Sequence, residues 1–173
     1  MLSMVEYVHE RMKTYPKHAV GVDFTMGQGN DTLFLSHLCD EVYAFDIQEE
    51  ALKATVEKIG ENDHVHLYLE SHEHFDDHVD AFDLGVFNLG YLPDFDHTIK
   101  TTLESTKVAV TKAIEKMDQV LWIVCYIGHV EGAKEASWIN DYVTHLDSHT
   151  YNVSMYKMLN KNKAPYVIEI EKR

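Results

Sequence analysis

Val22-Asp23-Phe24-Thr25-Met26-Gly27-Gln28-Gly29-Asn30-Asp31-Thr32 decides the fold of this chain. Apolar residues from Ala19 to Val22 lead into it, and Leu33, Phe34, Leu35 and Leu38 continue from it as a helical face. Strand, glycine turn and helix is the geometry in which backbone N–H groups line up against a nucleotide-like ligand. A dinucleotide fingerprint sets a third small residue three positions beyond Gly29, where Thr32 stands instead. Asp23, Thr25, Gln28, Asn30 and Asp31 surround the glycines with polar and anionic groups. Such a lining disfavours a pyrophosphate and favours an ammonium.

A second apolar strand, Val42-Tyr43-Ala44-Phe45, ends in Asp46. An acid there is placed to hold ribose hydroxyls, with Ile47 against an adenine face and Gln48 within reach of ribose or base. Asp46 serves equally well as the N-cap of a helix starting near Glu49. Ser71 and His72 follow the third strand, beside the position of an adenine. A glycine turn between two acids suits S-adenosylmethionine (SAM) at least as well as NAD.

Phe87-Asn88-Leu89-Gly90-Tyr91-Leu92-Pro93 turns the reading toward methyl transfer. An amine must present its lone pair to the methyl group. The Asn88 side-chain carbonyl and a backbone carbonyl at Leu89 or Gly90 can accept its N–H bonds and orient it, while Tyr91 can stack on a planar base. Asp96 and His97 after Pro93, and Tyr126 to His129 after the fifth strand, can face a substrate. His97 or His129 can take the amine's proton or simply orient the substrate.

Strands are expected near 19–23, 41–46, 65–69, 83–88, 119–125, 151–159 and 166–171, and helices near 31–38, 48–59, 98–117 and 131–146. A first amphipathic helix, Met1 to Lys13, sets Leu2, Val5, Val8 and Met12 on one side; it is too polar for a signal peptide. Strand–helix alternation implies an α/β fold with a mostly parallel, doubly wound sheet, and the last two strands imply a C-terminal antiparallel hairpin. This is the Rossmann-like layout of class I SAM-dependent methyltransferases, expected here as one domain over residues 1–173.

With 173 residues the chain can bury a core without staples, and its two cysteines, Cys39 and Cys125, point to a reducing cytoplasm rather than a disulfide framework. No run is long enough for a membrane span. The net charge of −14 argues against broad non-specific binding to nucleic acid, DNA included. Local basic surfaces remain at Arg11, Lys13 and Lys17, at Lys107, Lys112 and Lys116, and at Lys157, Lys161 and Lys163. His64, His66, His72, His74 and His78 lack the spacing of a compact metal site, so no metal is expected. Oligomeric state stays open, a homodimer included.

Taken in order, Val22 to Leu35, Ala44-Phe45-Asp46-Ile47-Gln48, Ser71-His72-Glu73, Phe87 to Pro93 with Asp96-His97, and Tyr126-Ile127-Gly128-His129 resemble the rRNA methylase family. Its members are understood as the tRNA methyltransferase that completes 5-methylaminomethyl-2-thiouridine at the wobble position. The resemblance runs from about Ala19 to the last strand. It implies SAM as donor, a tRNA anticodon stem-loop as partner, and the amine of 5-aminomethyl-2-thiouridine as acceptor. Cofactor contacts would fall on Gln28, Asn30, Asp46, Gln48, Ser71 and His72. The chain departs from the family pattern at Phe24, usually small, at Gln28, usually asparagine, at Glu131, and at Lys161, usually glutamine. Rival readings are methylation of rRNA or a small amine, and a SAM-binding protein without activity.

Overall fold

Seven strands form between the helices: β1 (Val20–Asp23), β2 (Glu41–Asp46), β3 (Val65–Leu69), β4 (Phe82–Asn88), β5 (Met117–Cys125), β6 (Tyr151–Tyr156) and β7 (Tyr166–Lys172). The structure is a computed structural model and describes residues 1–90 and 102–173. All seven strands join one sheet in the order β3-β2-β1-β4-β5-β7-β6. β1 to β5 run parallel, and β7 lies antiparallel to both β5 and β6. The expected α/β sheet and its hairpin are both present, with the return strand β7 inserted beside β5 and β6 left at the edge. Burial explains that order. Tyr166, Val167, Ile168 and Ile170 are apolar on both faces and buried, whereas β6 is largely exposed and suits a solvent edge.

The helices are α1 (Met4–Thr14), α2 (Asn30–Leu38), α3 (Glu49–Ile59), α4 (Leu103–Lys116) and α5 (Val130–Thr144), with a 3₁₀ turn over His72–Asp77 that periodicity did not announce. Element limits shift by a few residues from expectation. β6 ends at Tyr156, and Met117, expected in a helix, begins β5 opposite Phe82. α1 starts at a capping box between Ser3 and Glu6, so Leu2 stays outside it and exposed while Met4, Val8 and Met12 are buried.

α1 and α2 cover one face of the sheet, where Met4, Val8, Met12 and Leu35 pack on Val86, Trp122 and Val124. α4, α5 and the 3₁₀ turn cover the other, over an aromatic cluster. There Phe24 stacks on Phe87 with ring centroids 4.2 Å apart and 2° between planes, and meets Phe75 and Phe82 edge-on. Gly85 makes the room: a Cβ there would lie 2.5 Å from Phe82 Cε2 and 3.1 Å from Phe24 Cε2. The large residue in the turn is thus matched by the missing side chain in β4.

A buried polar knot fixes α1 on the sheet. Glu169 accepts from Arg11 Nη2 at 2.6 Å, Tyr15 O–H at 2.9 Å and Trp122 Nε1 at 2.7 Å. Burial pushes the Glu169 carboxyl up, but these donors outweigh it and hold its pKa below the usual value. Arg11 is therefore spent on internal structure, as is Lys112, which donates to Asp76 at 3.0 Å.

Candidate active site

The strand order reverses between β1 and β4, and in an open parallel sheet that break opens a crevice beyond the carboxyl ends of the strands. A cavity of about 980 Å³ occupies it, large enough for a nucleoside-sized ligand and an acceptor. The turn between β1 and α2 forms its floor. Gly27 and Gly29 take left-handed φ values of 55° and 85°, which glycine adopts without strain. Gly29 faces away from the cavity, because a Cβ there would lie 2.8 Å from Thr55 Oγ1 and 3.0 Å from Thr55 Cα in α3.

Asp23 knits this turn from within. Its Oδ1 accepts the Thr25 N–H at 3.1 Å and its Oδ2 accepts the Thr32 hydroxyl at 2.6 Å. Thr32, the residue that breaks the dinucleotide pattern, thereby has its use. Complete burial, with the nearby Asp31 carboxylate as second cause, raises the Asp23 pKa far above the usual carboxylate range. Asp23 does not line the cavity; it holds the residues that do.

Asp46 closes the turn from β2. Its Oδ2 accepts the Gly27 N–H at 3.0 Å and its Oδ1 the Gln48 N–H at 2.9 Å. The N-cap of α3 is Gln48, not Asp46. Burial raises the Asp46 pKa against these bonds. Asp46, Ile47 and Gln48 line one end of the cavity beside Thr25, Gly27, Gln28 and Asn30.

The other end is built on β4 and β5. The Asn88 N–H donates to Thr25 Oγ1 at 2.7 Å, tying the end of β4 to the glycine turn. The Asn88 side chain hydrogen-bonds the Tyr126 phenol; burial raises the pKa of that phenol, the bond from Asn88 lowers it, and the Asp31 carboxylate raises it further. Gly90 lies against the Tyr126 ring, 3.2 Å from where a Cβ would stand. His129 is the N-cap of α5, its Nδ1 accepting the Gly132 N–H at 3.1 Å. Asn88, Gly90, Tyr126 and His129 all line the cavity.

Ser71 and His72 do not line it. Ser71 caps the 3₁₀ turn, and His72 is buried, with its Nδ1 3.1 Å from the Phe24 carbonyl oxygen and its ring edge-on to Phe87 at 5.4 Å. Burial lowers the His72 pKa to about 4, so it is neutral; Nδ1 then donates to that carbonyl, and Nε2 is a buried acceptor without a partner among the described residues. Tyr91, Pro93, Asp96 and His97 fall outside the described residues. Sequence reading missed Glu135, 6 % exposed, which accepts from Thr106 Oγ1 at 3.0 Å and faces the cavity; Lys163, read there only as part of a basic surface, reaches the cavity from the β6–β7 turn with φ 55°. The signal for Glu135 was available: a charge beside the apolar helix positions Ala136, Ile139 and Val143.

Two histidines of the region after β2 are occupied locally, His66 by Glu41 at 2.7 Å and His78 by Glu70 at 2.6 Å. Among the described residues no group of three or more His, Cys, Asp or Glu is arranged to hold a metal ion. Among them also, no helix is long and apolar enough to cross a membrane.

A carboxylate at the end of β2, backbone approach at Gly27 and an anionic surround fit a cofactor with ribose hydroxyls and a cationic amino-acid tail. Asp46 still has lone pairs to offer after accepting its two backbone N–H groups. Sheet order and cavity together define a class I SAM-dependent methyltransferase. The family described as "Putative rRNA methylase" matches residues 42–171. A solved rRNA methylase of that description from Clostridium thermocellum is 32% identical, covering 100% of this chain and 99% of that one, with a TM-score of 0.93. A Streptococcus mutans methyltransferase solved in complex with SAH is 35% identical, covering 100% and 99%, with a TM-score of 0.88. A chloroplastic tRNA (mnm(5)s(2)U34)-methyltransferase of Arabidopsis thaliana is 30% identical over 88% of this chain, which spans 62% of that relative's length. The chain belongs to the rRNA methylase family, as its motifs led one to expect, and its cofactor is SAM.

Proposed function

We propose that this chain, acting as one domain over residues 1–173, methylates the primary amine of 5-aminomethyl-2-thiouridine at the wobble position of a tRNA anticodon stem-loop. The observation that carries the reading is Asn88, bonded to Thr25 on the cofactor side and to Tyr126 on the acceptor side. Asn88 lines the cavity, and with its amide N–H given to the phenol oxygen its carbonyl oxygen is the group suited to accept an amine N–H. A backbone carbonyl at Leu89 or Gly90 supplies a second. Two acceptors direct the lone pair along one line, which is what in-line transfer needs.

The cofactor is held by Asp46 and the glycine turn, with Gln28, Asn30, Ile47 and Gln48 around it. Bound there, SAM supplies the electrophilic methyl group. The acceptor amine must be neutral to attack, and an alkylamine is mostly protonated at neutral pH. His129 is a poor base for it: a neutral ring that accepts at Nδ1 carries its hydrogen on Nε2 and offers a donor. Glu135, an all but buried carboxylate on the same cavity, is the better acceptor for the amine's proton. His129 then shapes the mouth as a helix cap.

The name of the Arabidopsis relative supports the wobble uridine as substrate. Lys157, Lys161 and Lys163, on the β6–β7 hairpin with Lys163 on the cavity itself, support RNA; in the other two basic clusters Arg11 and Lys112 are committed internally. Cys39 and Cys125 are buried free thiols, in keeping with a cytoplasmic enzyme. The test is methyl transfer from labelled SAM to tRNA that carries the unmethylated aminomethyl group, beside fully modified tRNA and rRNA. Label in the first alone is expected; label in rRNA alone would replace the substrate and keep the chemistry.

A further inference from the structure

α1 takes part in the cofactor site. Val5 lines the cavity, and His9, one turn later on the same helix, reaches across to α2, where its Nε2 lies 2.6 Å from Asp31 Oδ1. The imidazole is fixed by stacking on Phe34, with centroids 4.1 Å apart and 9° between planes. Asp31 follows the glycine turn directly, is 6 % exposed, and lines the cavity. Its charge is felt on both sides, at Asp23 beneath the turn and at Tyr126 across the cavity. Two carboxylates so close repel one another unless a cation joins them. His9 meets Asp31 from the α1 side, and the cavity side faces the ligand.

We propose that His9 is a positioning residue for the cofactor, holding the Asp31 carboxylate toward the α-ammonium of SAM's methionine part. The proposal rests on the reading of the cavity as the SAM site. It makes α1 a wall of that site, set in place by two neighbouring contacts, Glu169 on Arg11 and Asp31 on His9. A charge-assisted bond of this kind fixes a carboxylate that would otherwise turn to solvent or to its own helix N-terminus.

Two probes separate positioning from mere support of the fold. S-adenosylhomocysteine carries the ammonium; 5′-methylthioadenosine has the same nucleoside and sulfur without the amino-acid part. By calorimetry, His9→Ala is expected to weaken S-adenosylhomocysteine about tenfold and to leave 5′-methylthioadenosine unchanged. His9→Gln, which keeps a donor at similar reach, restores the loss. Asp31→Asn gives the same selective loss and carries the test should His9→Ala fail to fold. Equal weakening of both probes, unchanged affinity in His9→Ala or Asp31→Asn, or no rescue by His9→Gln would overturn the proposal. A wild-type chain that binds neither probe would overturn the cofactor reading beneath it, so the two failures are told apart without any tRNA.

Discussion

Asn88 donates its backbone N–H to Thr25 Oγ1 at 2.7 Å, so the glycine turn, proposed to hold the cofactor, and the end of β4, proposed to receive the acceptor, form one hydrogen-bonded unit. Replacing Thr25 by Val keeps shape and removes the acceptor. Turnover should fall about tenfold while S-adenosylhomocysteine affinity stays within about threefold, because alignment rather than cofactor binding is lost. Single-turnover rates and calorimetry on one preparation check both. A parallel loss of affinity would mean that Thr25 serves the cofactor instead.

Asn88→Ala should lower kcat by about a hundredfold or more with SAM affinity kept, since both the amine's acceptor and its orientation go. Tyr126→Phe keeps Asn88 but frees its amide to turn, and a drop of about tenfold is expected. Steady-state kinetics at saturating SAM distinguish them. Retained turnover in Asn88→Ala would remove that residue from the mechanism.

Gly85→Ala tests the match between β4 and Phe24. The added methyl meets Phe82 and Phe24 rings that are themselves locked in the aromatic cluster. Overpacking of this sort costs about 1–3 kcal/mol, read in a denaturant titration with an unchanged slope. Phe24→Ala in the same background should recover little, because it trades the clash for a cavity.

Asp23 gives a pH dependence whose sign can be worked out. Its pKa in the fold is raised above that of the unfolded chain, first by burial and then by Asp31. A raised carboxyl contributes stability that is complete below the unfolded value, about 4, and is lost as pH climbs through the folded value. Wild type should therefore lose stability relative to Asp23→Asn between pH about 5 and mildly alkaline pH. Unfolding curves of the two at several pH values check this, and a constant difference would contradict it.

Charge reversal of Lys157 and Lys161 together, which spares the cavity-lining Lys163, should weaken tRNA binding and leave S-adenosylhomocysteine binding untouched. Its salt dependence should flatten by about 0.7–0.9 for each phosphate that the chain no longer neutralises. Filter binding across a salt series reads both the affinity and the slope. Unaltered tRNA affinity would move the RNA surface elsewhere.

The fold was largely legible because two periodicities were strong: apolar strands, and helices with one buried face. The order β5-β7-β6 could not be read locally, but the difference between an apolar β7 and a polar β6 carried it. Around the cavity, Asp46, Asn88 and Tyr126 were legible because strand ends in this topology converge on one edge. Gly29 and Asp23, expected around the ligand, do not line the cavity, since a motif shows which residues gather and not which way each faces. His9 and Glu135, and the place of Lys163 on the cavity, stayed hidden for another reason. They arrive from α1, α5 and the last hairpin, far away in sequence, and meet only when the sheet is assembled.

The central claim is that an amine held at Asn88 receives the methyl group. The direct measurement is nucleoside mass analysis of tRNA from cells lacking the wobble methyl group, after incubation with SAM and either wild-type protein or Asn88→Ala. The account predicts that wild type converts 5-aminomethyl-2-thiouridine to a product one methyl heavier on the amine nitrogen, and that the variant does not. A methyl found on any other atom or nucleotide, or no transfer by a protein that binds S-adenosylhomocysteine, would contradict it.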